Sequence, residues 1–149
     1  MLVEDILAKV GIDAVEKYRQ SFIENDRVAT GKTNQSVSYE VDNNTPGVTV
    51  LKVTGRKDIN QLEEGVSADE YAANPASFSA LEEWISARGL NRTAESIDDG
   101  LRRNGWVSGN GPNGGTPNII TTPTQQVISE AKIQIEKNSK EMILKEIKI

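Results

Sequence analysis

The side chains able to do chemistry in this chain are carboxylates, lysines, arginines and hydroxyls, because its 149 residues include neither cysteine nor histidine. That absence removes disulfides, thiolate nucleophiles, zinc sites of the usual ligands, haem ligation by histidine and the Ser-His-Asp triad. Adjacent acids stand at Glu63-Glu64, Asp69-Glu70, Glu82-Glu83 and Asp98-Asp99. Neighbours on a helix point about 100° apart, so such a pair does not present a general acid and a general base to one substrate. Each pair is expected to be a solvated face or a helix start. Glu95, Asp98 and Asp99 lack the loop spacing of a calcium site, and no metal, cofactor or enzymatic activity is expected.

Two further constellations invite a ligand. Ala29-Thr30-Gly31-Lys32-Thr33 contains the Gly-Lys-Thr of a phosphate-binding loop, but the glycine required five residues before Gly31 is Asp26. A helix is expected to lead in and a strand to lead out, the reverse of what that loop needs, so the segment reads as an exposed turn. The second constellation is a helix, a glycine turn and a helix between Ser77 and Gly105, with Arg102 and Arg103 placed to touch phosphates. A small acidic DNA-binding regulator with a helix-turn-helix at 77–105 is therefore the alternative reading. Against it, Glu95, Asp98 and Asp99 on the second helix repel a phosphate backbone. The net charge of −5 and pI near 4.9 also disfavour wrapping by nucleic acid, so no specific nucleic-acid partner is expected.

The elements that must position these residues follow from hydrophobic spacing. Val3, Ile6, Leu7, Val10, Ala14, Tyr18 and Phe22 recur at three- or four-residue steps and predict a long amphipathic helix from Leu2 to about Asn25, which Gly11 weakens without breaking. A connection from Asp26 to Ser36 leads to period-two runs at Val37–Val41 and Val48–Thr54, joined by a six-residue turn over 42–47, which predict an antiparallel hairpin. Ile59 to Gly65 is expected to add a short third strand, and Val66 to Ala76 a polar loop. Ser77 or Ser79 then caps a helix in which Phe78, Leu81, Trp84, Ile85 and Arg88 form a stripe with Trp84 in its middle, and Gly89 ends it. Thr93 caps the next helix, whose Ala94, Ile97 and Leu101 face inward; Gly105 closes it, and Trp106 and Val107 return to the core.

Ser108 to Pro123 concentrates Gly, Asn and Pro and is expected to be a mobile loop or arm. Thr124 to Ile147 forms a last long helix with a rough stripe of Val127, Ile128, Ala131, Ile135, Met142 and Ile143, and a polar gap at 137–140 where a kink or fraying is expected. The fold class is α+β: a small antiparallel sheet packed against a long N-terminal helix and a central helix pair, with a C-terminal helix. Residues 1–107 make the core domain, 108–123 the arm, and 124–149 a helix packed on the core or on a neighbour. Nothing at the amino end has the continuous apolar core of a signal peptide and no apolar window is long enough to span a membrane, so a soluble cytoplasmic product without a membrane partner is expected.

In this order the chain resembles the head-to-tail joining or tail completion proteins of tailed bacteriophages. The resemblance rests on Ala29-Thr30-Gly31-Lys32 with Ser36-Val37, on Leu62-Glu63-Glu64-Gly65, on Glu83-Trp84-Ile85-Ser86-Ala87-Arg88-Gly89-Leu90 and on Asn104-Gly105, and it spans most of the sequence. The aromatic and proline residues usual around the leucine-glutamate-glycine segment are missing, and Asp98-Asp99-Gly100 replaces a more apolar helix. What the resemblance implies is a structural virion protein, assembled in the bacterial host cytoplasm, that forms a ring at the phage neck or tail top. Its partners would be further copies of itself and the portal, adaptor or tail proteins. Ile119 and Ile120 at the end of the arm, and Ile143, Leu144 and Ile147 in the last helix, are the candidate subunit-interface residues.

Overall fold

The computed structural model describes residues 2–147 apart from 29, 58, 107, 108, 110, 112 and 113, with side chains through Lys140. Helix α1 (Val3–Glu24) opens with the Asp5 carboxylate accepting the Leu2 N–H at 3.1 Å and buries Ile6, Leu7, Val10, Ala14 and Phe22 along one face. It stops through paired C-terminal bonds, Arg27 N–H to Phe22 O at 2.8 Å and Asp26 N–H to Ile23 O at 3.0 Å. Asp26 takes the left-handed conformation there (φ 53°), a position usually given to glycine.

Strands β1 (Ser38–Thr45) and β2 (Val48–Thr54) pair antiparallel, with Tyr39 opposite Val53, Val41 opposite Leu51 and Thr45 opposite Val48. The six-residue turn expected over 42–47 is thus replaced by a two-residue turn at Pro46-Gly47. Proline followed by a glycine at φ 76° is the residue order of a type II turn, and an irregularity between Asp42 and Thr45 takes up the polar residues. Leu51 and Val53 pack on α1, while Val48 and Val50 face outward and the outer face carries a Lys52–Asp42 ion pair at 2.7 Å. Gly11 is explained by this contact: a Cβ there would lie 2.3 Å from the Tyr39 ring, so glycine lets the ring lie against the helix.

Two other segments differ from expectation. After Gly31 the chain forms a short helix, α2 (Lys32–Ser36), instead of continuing as a connection. The proposed third strand is a helical turn, α3 (Gln61–Glu64), because Ile59 and Leu62 stand three residues apart and both reach the apolar cluster of Phe22, Val37 and Ile119. The loop expected over 66–76 contains helix α4 (Ala68–Ala73), started by a reciprocal cap in which Ser67 Oγ accepts from Glu70 N–H at 3.3 Å and Glu70 Oε2 accepts from Ser67 N–H at 2.8 Å.

The central pair is α5 (Phe78–Arg88), capped by Ser77, and α6 (Ala94–Asn104), capped by Thr93, as the sequence predicts. Among the described residues the pair packs on itself and, through α6, on α4, while α1 covers the inner face of the hairpin. Within α5, Leu81 and Ile85 hold the centre of the buried stripe, and Trp84 lies at its rim, 37% exposed. Ile97 and Leu101 are half-buried, and Val107 lies outside the described residues.

Helix α7 (Thr121–Ile147) starts earlier than its predicted Thr124 and continues unbroken through the polar stretch 137–140. It lies antiparallel to α1, with Val127, Ala131 and Ile135 joining Ile6, Val10, Ala14, Leu51 and Val53 in one apolar cluster. Ile128 turns away from that cluster and is exposed. The α+β class, the hairpin, the long first helix and the C-terminal helix are as the sequence indicates.

Candidate functional site

The best-built polar arrangement surrounds the carboxyl end of α1, where segments distant in sequence are joined. Glu63, from the Leu-Glu-Glu-Gly segment, caps α7: its Oε2 accepts the N–H groups of Ile120 at 2.8 Å and Thr121 at 2.7 Å, and its Oε1 accepts the Thr121 hydroxyl at 2.5 Å. A helix start exposes unpaired donors and a partial positive charge, and both favour a carboxylate there. Burial pushes the Glu63 carboxyl upward, but the bonds from Thr121 and Ile120 outweigh it and hold the group below its ordinary value.

The residues before α7 dock at the same place. Thr116 N–H donates to Leu62 O at 2.7 Å, and Arg27 donates to Thr116 Oγ1 at 2.7 Å and to Gly114 O at 3.4 Å. Gly115 lies so close to α3 that an added Cβ would sit 2.1 Å from Glu63 O. Ser21 Oγ donates to Ile119 O at 2.8 Å, and the hydroxyls of Tyr18 and Thr124 meet at 2.5 Å.

The other quoted motifs also become joints. Arg88, at the end of α5, donates to Asp26 Oδ2 at 2.8 Å and to Asp26 O at 2.6 Å, clasping the left-handed residue that ends α1. Lys32 of the Thr-Gly-Lys turn meets Glu83 of α5 at 2.6 Å, an exposed pair that fixes register more than it stabilises. Gly105 closes α6 against α4, where an added Cβ would lie 2.3 Å from Val66 O, and Trp106 N–H donates to the same oxygen at 2.9 Å.

Among the acid pairs, Asp98 is not solvated. It is 7% exposed, accepts the Tyr71 hydroxyl at 2.9 Å and Arg102 Nε at 2.7 Å, and so ties α6 to α4. The Arg102 bond holds the Asp98 carboxyl low, against burial and with help from Tyr71; burial, with Asp98 beside it, raises the Tyr71 phenol. Arg103 in turn lies 3.7 Å from Asp99, so both arginines of the supposed recognition helix face carboxylates of that helix.

Of the candidate interface residues, Ile119 is corrected by the structure: it is 1% exposed and packs with Phe22 and Val37 inside the chain's own core. The arm loses its independence there because Ile119 has an apolar nest within reach. Ile120 packs against the same cluster and stays half-buried. Ile143, Leu144 and Ile147 lie on the last turns of α7. Glu63 and Asp98 are hidden from sequence reasoning because each hydrogen-bonds across distant segments, whereas Ser67-x-x-Glu70 is a local start signal for α4 that the loop expected over 66–76 left unread.

Among the described residues, two open grooves of about 480 and 550 Å³ lie beside α7. Among the described residues no group of three acids could hold a metal ion, and no helix is long and apolar enough to cross a membrane. No family model, curated protein or solved structure matches the chain.

Proposed function

We propose that this chain is a structural subunit of a tailed-phage virion, assembled in the host cytoplasm into a ring at the neck or tail top that joins head to tail. The observation that carries the reading is the fate of the motifs behind the resemblance. Lys32, Glu63, Arg88 and Gly105, drawn from its four segments, all serve as joints, between α2 and α5, α3 and α7, α5 and the end of α1, and α6 and the start of α4 respectively. Their shared role is a rigid frame, which a ring subunit needs to hold its neighbours at a fixed angle. Neighbouring copies would meet through two different surfaces, the arrangement that closes a ring when the rotation allows. Further partners would be portal, adaptor or tail proteins, with no cofactor and no reaction.

Quantitative mass spectrometry of purified particles of the phage carrying this gene tests the reading. A fixed small number of copies per particle, and unjoined heads and tails when the gene is deleted, is the expected result. Absence from particles together with duplex-DNA binding at low salt would overturn it in favour of the helix-turn-helix regulator.

A further inference from the structure

The joints of this frame differ in kind. Glu63 ties α3 to α7 inside a body made of α1, the hairpin and α7, whose two apolar clusters share Val53. Among the described residues, those clusters draw on 6–62 and 119–135, and neither takes a side chain from 66–105. That segment keeps an interior of its own. Leu81, Ile85 and Ala94 are buried outside both clusters, α6 packs on α4 and on α5, and the Tyr71 hydroxyl donates to the buried Asp98 at 2.9 Å. Helices α4 to α6 are thus a second unit, held by contacts separate from those of the body.

The chain enters this unit at Gly65-Val66 and leaves it at Gly105-Trp106, and the two crossings lie side by side. Trp106 N–H donates to Val66 O at 2.9 Å, and a Cβ on Gly105 would lie 2.3 Å from the same oxygen. Both glycines sit at positive φ, 77° and 65°, and lacking a Cβ they are where the backbone turns at the least steric cost. Adjacent crossings make one axis, whereas widely spaced ones would clamp the unit.

Away from that axis, the described side-chain bonds between unit and body are ionic. Arg88 donates to Asp26 Oδ2 at 2.8 Å and to Asp26 O at 2.6 Å, and Lys32 meets Glu83 at 2.6 Å. The side chains of Asp26, Lys32 and Glu83 are exposed, so dissolved salt reaches both pairs and weakens them. Two units joined without a large apolar contact are free to move relative to each other.

We infer that α4 to α6 swing as one body on the paired crossings at Gly65 and Gly105, and that Arg88 and Lys32 form the latch that holds them to the end of α1 and to α2. Latched, the molecule is one rigid frame. Released, each half keeps its interior while the angle between them changes. The hinge belongs to the free chain and does not depend on the ring reading.

Because the chain has no cysteine, pairs can be introduced and spin-labelled without background. Labels at S86C on α5 and S129C on α7, both exposed positions, report the angle between the halves of the full chain by pulsed electron paramagnetic resonance; Q20C with S129C, both in the body, is the control. At low salt the first pair is expected to give one narrow set of distances. High salt, or Arg88→Ala combined with Lys32→Ala, is expected to add a second set holding roughly a tenth of the population or more. The control pair is expected to stay unchanged, and circular dichroism to keep the parent's helicity. Distances for the first pair that neither high salt nor the folded latch variant alters would overturn the inference, as would equal broadening of the control pair, which would mean that the whole chain loosens. Should the latch variant fail to fold, the salt series on the parent decides alone.

Discussion

At its start α7 is held by the Glu63 carboxylate on its first amides, by Ser21 and Tyr18 of α1, and by Ile119 seated against Phe22; at its far end it has outrun α1. The first end combines a charge-assisted cap with apolar burial, so its position is fixed by contacts from three separate segments. The far end is a helical extension in which Lys140-Glu141 and Lys145-Glu146 flank the apolar Met142, Ile143 and Leu144 in sequence. The contrast teaches that packing ends before the helix does: α7 joins the apolar cluster through Ile135, and its last turns run past the start of α1.

Substitutions should reproduce that gradient. The largest effect is expected at Ile119, where truncation to alanine opens a cavity beside Phe22 and costs about 2–5 kcal/mol, read as a drop in urea unfolding free energy. A cost within 0.5 kcal/mol would return Ile119 to the surface role that its sequence position suggests.

Next comes Glu63→Ala, which leaves the amides of Ile120 and Thr121 without their acceptor and is expected to cost about 1–3 kcal/mol. The same carboxylate makes a pH prediction. Its folded pKa is lowered, so its contribution is fully present above the ordinary glutamate value and is lost as pH falls through the lowered one. Asp98, also held low, acts in the same direction. Acid titration of stability is therefore expected to be flatter in Glu63→Ala than in the parent over that window. Identical slopes would show that the cap carries no charge-dependent stability.

The smallest effect is expected from ending the chain at Asn138, which removes only residues beyond the described apolar cluster and should change unfolding free energy by less than about 0.5 kcal/mol. A loss of several kcal/mol would mean that the last turns belong to the core, erasing the contrast between the two ends.

Much of this architecture was legible in the sequence, for local reasons. The three- and four-residue spacing of Val3 to Phe22 gives α1, and Ser77, Gly89, Thr93 and Gly105 bracket α5 and α6. The loop expected at α4 and the six-residue hairpin turn passed over local signals, the Ser67-x-x-Glu70 cap and Pro46-Gly47; the other errors fell where a tertiary contact overrode local pattern. The β-compatible run around Ile59 and Leu62 became helical because both side chains are needed on Phe22. The glycine-rich stretch looked mobile, yet Gly115 and Ile119 dock it, one by lacking a Cβ and the other by having an apolar nest. Glu63 and Asp98 sit in acid pairs whose second members, Glu64 and Asp99, are exposed as expected. Only the partners, 57 residues away in one case and 27 in the other, distinguish the inward member. Three- and four-residue spacing puts Trp84 on the stripe without saying where across its width, and burial puts Leu81 and Ile85 at the centre and Trp84 at the rim.

Hydrogen exchange compared between the free chain and the same chain in purified particles tests the division of α7 most directly. Expected are slow amides at 124–135 in both states, and amides at 139–147 that exchange rapidly in the free chain and become protected in the particle. Equal exchange at 139–147 in the two states, or no peptide of this chain in the particles at all, would contradict it.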